Sequence, residues 1–170
     1  MATARTGKVY MCVFEEDMER TAFLIADFRH LMLWGPQRRL KSVAAAEALA
    51  LLGWNWVDHL GDRLGAMVIT GGEPGIIRQH FREPGMAAAI GLLVATHEAP
   101  PTNEQTSLDT QLAAFARVVP NGATVYLASA LDDPDDDLAA VIASLARLCR
   151  LPFASDADDI GLAARLGGGA

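Results

Sequence analysis

The 170-residue chain has little cysteine: two residues, Cys12 and Cys149. Two thiols cannot build a disulfide framework, nor a zinc site by themselves. The chain therefore reads as a protein of a reducing, cytoplasmic compartment. Basic residues are also few, 14 against 21 acidic ones, and the net charge is −7. That balance argues against the basic face of a dedicated nucleic-acid binder and against adsorption to anionic lipid. No run of 18 apolar residues is free of charge, so no membrane span is expected. The apolar stretch after Lys8 is too short for a signal-peptide core. Familiar catalytic signatures are missing as well. There is no GxxxxGK(S/T) phosphate loop, no GxGxxG after an apolar strand and no GxSxG elbow. The histidines His30, His59, His80 and His97 are scattered and form no HxH or HxxxH pair. No internal repeat is visible.

What remains is apolar: 51% of the residues, enough to bury the core of one domain. That domain is expected over residues 1–155. The glycine-rich end makes 156–170 an irregular or flexible tail. Residues 8–14 (KVYMCVF) read as an edge strand, and a homo-oligomer paired through it is conceivable. Continuous apolar runs at 21–26 (TAFLIA), 65–70 (GAMVIT) and 123–129 (ATVYLAS) suit strands buried on both faces. After a Gly-Gly-Glu-Pro-Gly turn, 76–81 (IIRQHF) suits an antiparallel partner. Helices are expected over 42–60, capped by Ser42, and over 84–96, 106–118 and 137–149. The first is apolar nearly all round, which predicts burial, with Trp54 and Trp56 filling core on different sides. The alternation gives an α/β fold: a doubly wound, mostly parallel sheet with helices on both faces and an antiparallel edge.

In such sheets function gathers at the carboxyl ends of the strands, here Asp27, Thr70 and Ser129. His30 lies beside that edge. Trp34 follows it in a loop, where exposure would mark a binding surface. The basic stretch Arg38-Arg39-Leu40-Lys41 suits an acidic partner or a solvated loop. The acidic run Asp132–Asp137 reads as capping, with Asp133 at the N-cap, Pro134 in the first turn and further carboxylates against the helix dipole. It lacks the spacing and closing Glu of an EF-hand.

Five segments, ARTGKVYMCVFEEDMER (4–20), FLIADFRHLMLWG (23–35), RRLKSVAAAEALALLGW (38–54), GDRLGAMVITGG (61–72) and VYLASALDDPDDD (125–137), follow one pattern in order and spacing. Over residues 4–150 the chain resembles the bacterial family called domain of unknown function 58, whose members carry a von Willebrand factor A-like domain. The resemblance implies a Rossmann-like fold and, through the family's genomic company, work beside a MoxR-type AAA+ ATPase. The family pattern extends upstream of Ala4, which would make this chain a short version of it. Many von Willebrand factor A domains hold Mg²⁺ or Mn²⁺ in a metal-ion-dependent adhesion site, made of DxSxS after the first strand, a later Thr and a late Asp. Hard cations want such hydroxyl and carboxylate oxygens.

Against that pattern the site is degenerate. Asp27 is kept, and Thr106 fits the threonine. The two serines fall at Arg29 and Leu31, and the late aspartate at Ala130, after Ser129. Exchanging oxygens for a guanidinium makes divalent binding electrostatically poor. The expectation is that Arg29 pairs with Asp27 as an internal cation, the alternative being that it points to solvent. The reading that follows is a non-enzymatic protein-interaction domain with no cofactor and no functional metal site, partnered by a MoxR-type ATPase. Its partner-binding residues would be Asp27, Arg29, His30, Trp34, Ser129 and Asp132. The alternative is a divalent-cation-dependent adhesion domain using Asp27, Thr106, Ser129 and Asp132. A hydrolase built on Asp27 and His30 lacks an oxyanion loop and a nucleophile–base pair.

Overall fold

The computed structural model describes residues 19–34, 40–99, 106–131 and 136–152 and the strand 162–163. The expected strand at 8–14 lies outside these residues. Five strands form one sheet: β1 (Thr21–Asp27), β2 (Arg63–Ile69), β3 (Gly75–Phe81), β4 (Thr124–Ala128) and β5 (Leu162–Ala163). Their spatial order is β3-β2-β1-β4-β5. β1 runs parallel to β2 and to β4, while β3 and β5 are antiparallel to their neighbours. The continuous apolar runs thus occupy the three inner places, where both faces are covered. The expected parallel inner strands with an antiparallel edge are found, the antiparallel edge at β3, and β5 adds a second antiparallel pairing at the other edge.

Four helices cover it: α1 (Lys41–Asn55), α2 (Arg82–Glu98), α3 (Leu108–Ala116) and α4 (Asp136–Leu148). Side chains alternate across a strand, and this sorts the core into two layers. Ala22, Leu24 and Ala26 of β1 pack with Ala45 and Leu49 of α1 and Met86, Ala89 and Leu93 of α2. Phe23 and Ile25 face the other way, onto Leu108, Leu112 and Phe115 of α3 and Leu138 and Leu145 of α4. Phe23 meets Phe115 edge-on at 5.3 Å, a favoured aromatic geometry. Its ring also lies over Gly65, where a Cβ would come within 2.4 Å of it. Helix α2 sits so close to the sheet that a Cβ on Gly85 would meet the backbone oxygens of His80 and Leu64 at 2.7 and 2.8 Å.

Several local expectations need correction. Ser42 does not cap α1. The helix starts one residue earlier, after Leu40, and the buried Ser42 hydroxyl has no hydrogen-bond partner. α1 ends at Asn55, not at Leu60, and the chain widens into a π-type turn over Trp56–Leu60. That turn brings Trp56 inward, where its Nε1 donates to the Arg63 carbonyl at 3.2 Å. α1 is also not buried all round: Leu51 is 74% and Trp54 41% exposed. One sheet can cover only one face of a helix, and an apolar sequence on both faces does not say which. The helices expected at 84–96 and 106–118 span Arg82–Glu98 and Leu108–Ala116. The capping residues Asp133 and Pro134 lie outside the described residues. Beyond Cys149 the sheet edge is irregular, as Pro152 requires. Arg150 makes a single parallel bridge to Thr124, and β5 adds two antiparallel pairs with Leu127 and Ala128.

Candidate functional site

β1 lies between two parallel neighbours reached from opposite sides, so a crevice opens beyond the carboxyl ends of β1 and β4. The Phe28 N–H donates to the Ile69 carbonyl at 2.7 Å. This bond holds the chain against β2 just after the last residue of the strand, Asp27. By strand parity Asp27 faces the α3/α4 side of the sheet, with Phe23 and Ile25. Its side chain is 1% exposed.

A carboxylate so deeply buried needs partners, and it has four donors. Oδ1 accepts the Arg29 backbone N–H at 3.0 Å and Arg29 Nε at 3.0 Å. Oδ2 accepts Arg29 Nη2 at 2.8 Å and the Ser129 hydroxyl at 2.7 Å. The guanidinium therefore grips both oxygens in the planar fork that favours Arg over Lys. The backbone bond closes a local turn of the kind Asp residues form two residues ahead. Ser129 in turn accepts the Leu131 N–H at 3.1 Å, and Leu131 takes a left-handed φ of 48°. One hydroxyl thus ties the β4 loop to the end of β1.

Arg29 pairs with Asp27 and does not point to solvent; its side chain remains 20% exposed. His30 and Leu31 are exposed on a short 3-10 turn, His30–Leu33. The His30 ring meets the Trp34 ring edge-on at 6.1 Å, and Trp34 is 67% exposed. Thr106 stands at the neighbouring β2 loop, its N–H donating to the Gly71 carbonyl at 2.8 Å. Ala130 is half-buried against the core. Thr70 is absorbed by its own turn: its hydroxyl donates to the Glu73 carbonyl and accepts the Gly72 N–H. Asp132 lies outside the described residues. Asp27, Arg29 and Ser129 are thus joined directly, and His30 and Trp34 form a separate exposed pair on the same loop.

The sequence reading passed over two residues of α3. Gln111 is buried, and its Nε2 donates to the carbonyls of Thr70 and Gly72 at 2.6 and 3.2 Å. It fastens the β2 loop to α3 and leaves its own Oε1 without a partner. The signal was a glutamine at a core position, three after Leu108 and four before Phe115. Asp109 is held below the usual carboxylate range, chiefly by the Ser107 hydroxyl, with the Arg29 charge adding to the effect. Arg29 is therefore within electrostatic reach of carboxylates on two elements.

This architecture is that of a von Willebrand factor A-like domain. Among solved structures the chain is similar to a von Willebrand factor type A protein from Catenulispora acidiphila. The TM-score is 0.52 at 20% identity, over 77% of this chain and 32% of that one. It is also similar to an aerotolerance-related membrane protein from Bacteroides fragilis NCTC 9343, with a TM-score of 0.49 at 15% identity, over 76% of this chain and 64% of that one. In both cases the chain spans less than two thirds of the other protein's length. No functionally curated protein matches it. The family itself is settled: the chain belongs to the family described as protein of unknown function DUF58, whose model matches residues 1–149.

Proposed function

We propose that the domain is a non-enzymatic, metal-independent protein-interaction module. Its working face is the rim made by the loops after β1, β2 and β4. The observation that carries this reading is the saturated Asp27 carboxylate. A carboxylate offers about four acceptor sites, and donors of this chain fill them. A divalent ion would have to displace a guanidinium already bound through two bonds. The same saturation argues against Asp27 as a general base or nucleophile, since no lone pair is directed toward a substrate. Exposed Trp34 and His30 beside it supply the aromatic contact surface that interaction sites favour. A MoxR-type AAA+ ATPase is the partner we infer from the family resemblance, and it would supply all nucleotide chemistry.

Purified MoxR-type ATPase, immobilised and probed with this chain, tests the reading. Binding is expected to be unchanged by chelator and lost in Arg29→Glu. In thermal melts, millimolar Mg²⁺ or Mn²⁺ is expected to leave the wild-type midpoint unmoved. The triple variant Arg29→Ser, Leu31→Ser, Ala130→Asp, which restores the oxygen donors, is expected to gain a metal-dependent rise. A wild-type midpoint that climbs with Mn²⁺ and falls with chelator would establish the metal-dependent adhesion reading instead.

A further inference from the structure

A second concave site lies at the opposite end of the sheet, about 20 Å from Asp27 along the seven residues of β1. It is an open pocket of about 330 Å³ where β1 and β4 begin. This is the size of a small-ligand site. Thr21 and Thr124 stand at the starts of the two strands, Arg20 and Arg150 flank them, and Asn121 and Trp56 complete the lining. The indole is fixed from behind. Its Nε1 is committed to the Arg63 carbonyl, and it lies so close to Gly61 that a Cβ there would come within 2.3 Å of the ring.

The charge of this pocket runs against that of the chain. Its one acidic residue among those described, Glu19, is engaged by Arg63. Neither the Arg20 nor the Arg150 guanidinium has an ion-pair or hydrogen-bond partner among the described residues. Among the described residues the concavity therefore carries two arginines that no carboxylate pairs, in a protein of net charge −7. Concave walls concentrate such a field. Hydroxyls, a carboxamide and arginines are the donors that recognise an oxyanion. The volume exceeds what one bare anion fills, and Trp56, with Pro120 and Ala123, supplies apolar wall.

We propose that this pocket binds a compact organic anion, its carboxylate or phosphate group between Arg20 and Arg150 and its apolar body against Trp56. The proposal is independent of the reading given for the Asp27 rim.

The test is an NMR titration of ¹⁵N-labelled protein with phenyl phosphate, with phenol and inorganic phosphate run alongside. Phenyl phosphate is expected to shift the amides of Gly122, Ala123 and Thr124 and the Trp56 indole N–H, saturably, and to bind more tightly than either fragment. Phenol at equal concentration should leave these signals in place. The double variant Arg20→Gln, Arg150→Gln should weaken binding about tenfold or more, as loss of charge-assisted hydrogen bonds does, while Arg117→Gln should not. If the double variant does not fold, Arg150→Glu alone carries the comparison. Shifts scattered over the surface, equal shifts with phenol, or an affinity unchanged in the arginine variants would each overturn the proposal. Benzoate in place of phenyl phosphate then tells a carboxylate ligand from a phosphate one.

Discussion

Replacing Arg29 by alanine isolates the charge arrangement at the centre of the rim. The change removes two of the four donors on Asp27 and leaves the backbone N–H of residue 29 and the Ser129 hydroxyl. Breaking a buried ion pair by removing one partner costs about 3–5 kcal/mol. Arg29 keeps 20% of its side-chain exposure, so water already screens the pair in part, and we expect about 2–3 kcal/mol. For 170 residues the entropy of unfolding is about 0.36 kcal/mol per kelvin, which converts the loss to a fall in midpoint of about 6–8 °C. Most of that loss comes from the stranded charge and not from the missing contact. Asp27→Asn introduced into the Arg29→Ala protein should therefore recover about 1 kcal/mol or more. Urea denaturation of the two single variants, the double variant and the wild type reads all four corners of the cycle. Additive losses, or an Arg29→Ala midpoint within a degree of wild type, would show that the guanidinium does not support Asp27, and the internal-cation argument would fall with it.

Two glycines of α2 should respond in opposite directions. Gly85→Ala drives a methyl into the backbone oxygens of His80 and Leu64 and is expected to lower the midpoint sharply. Gly91→Ala has nothing within 4 Å of the new carbon and should raise stability by about 0.5–1 kcal/mol through helix propensity alone. Calorimetry of both variants checks the pair. Cys149 is buried, its thiol donates to the Leu145 carbonyl at 3.0 Å, and burial pushes its pKa from 9.0 up to about 11. A raised folded pKa means stability that is full below pH 9 and lost as pH rises through 11. The advantage of wild type over Cys149→Ala, read by urea midpoints, should therefore shrink by about 1 kcal/mol between pH 8 and pH 10. A difference independent of pH would refute the shift.

The inner strands were legible because burial on both faces leaves a mark that needs no partner to interpret: an unbroken apolar run such as TAFLIA. The Asp27–Arg29 pair was legible only as one of two readings. Two residues apart at a strand end, the aspartate and the arginine can reach one another, but the spacing alone does not say whether the guanidinium turns to the carboxylate or to solvent. The helices were harder. α1 is apolar on both faces, so its pattern could not show that Leu51 and Trp54 face solvent while Leu49 and Gly53 face the sheet. Its start is hard to read because Ser42 has the chemistry of a cap, yet it lies buried at the second position of the helix. Gln111 went unnoticed because its partners, the carbonyls of Thr70 and Gly72, lie 41 and 39 residues away. No local spacing announces a bond of that span. The pocket at the sheet's lower end escaped for the same reason: Arg20, Trp56, Asn121 and Arg150 meet only once the chain has folded.

The guanidinium on Asp27 is attached to the chain two residues away. Its local concentration at the carboxylate is set by that tether and not by the surrounding solution, which can neither dilute nor chelate it. On the reading proposed for this rim, dissolved magnesium or manganese would compete there with a cation tethered in place. On that reading the face would keep the same charge pattern whether the medium is rich or poor in divalent salts, and a docking partner would meet a lock with its counter-ion already inside.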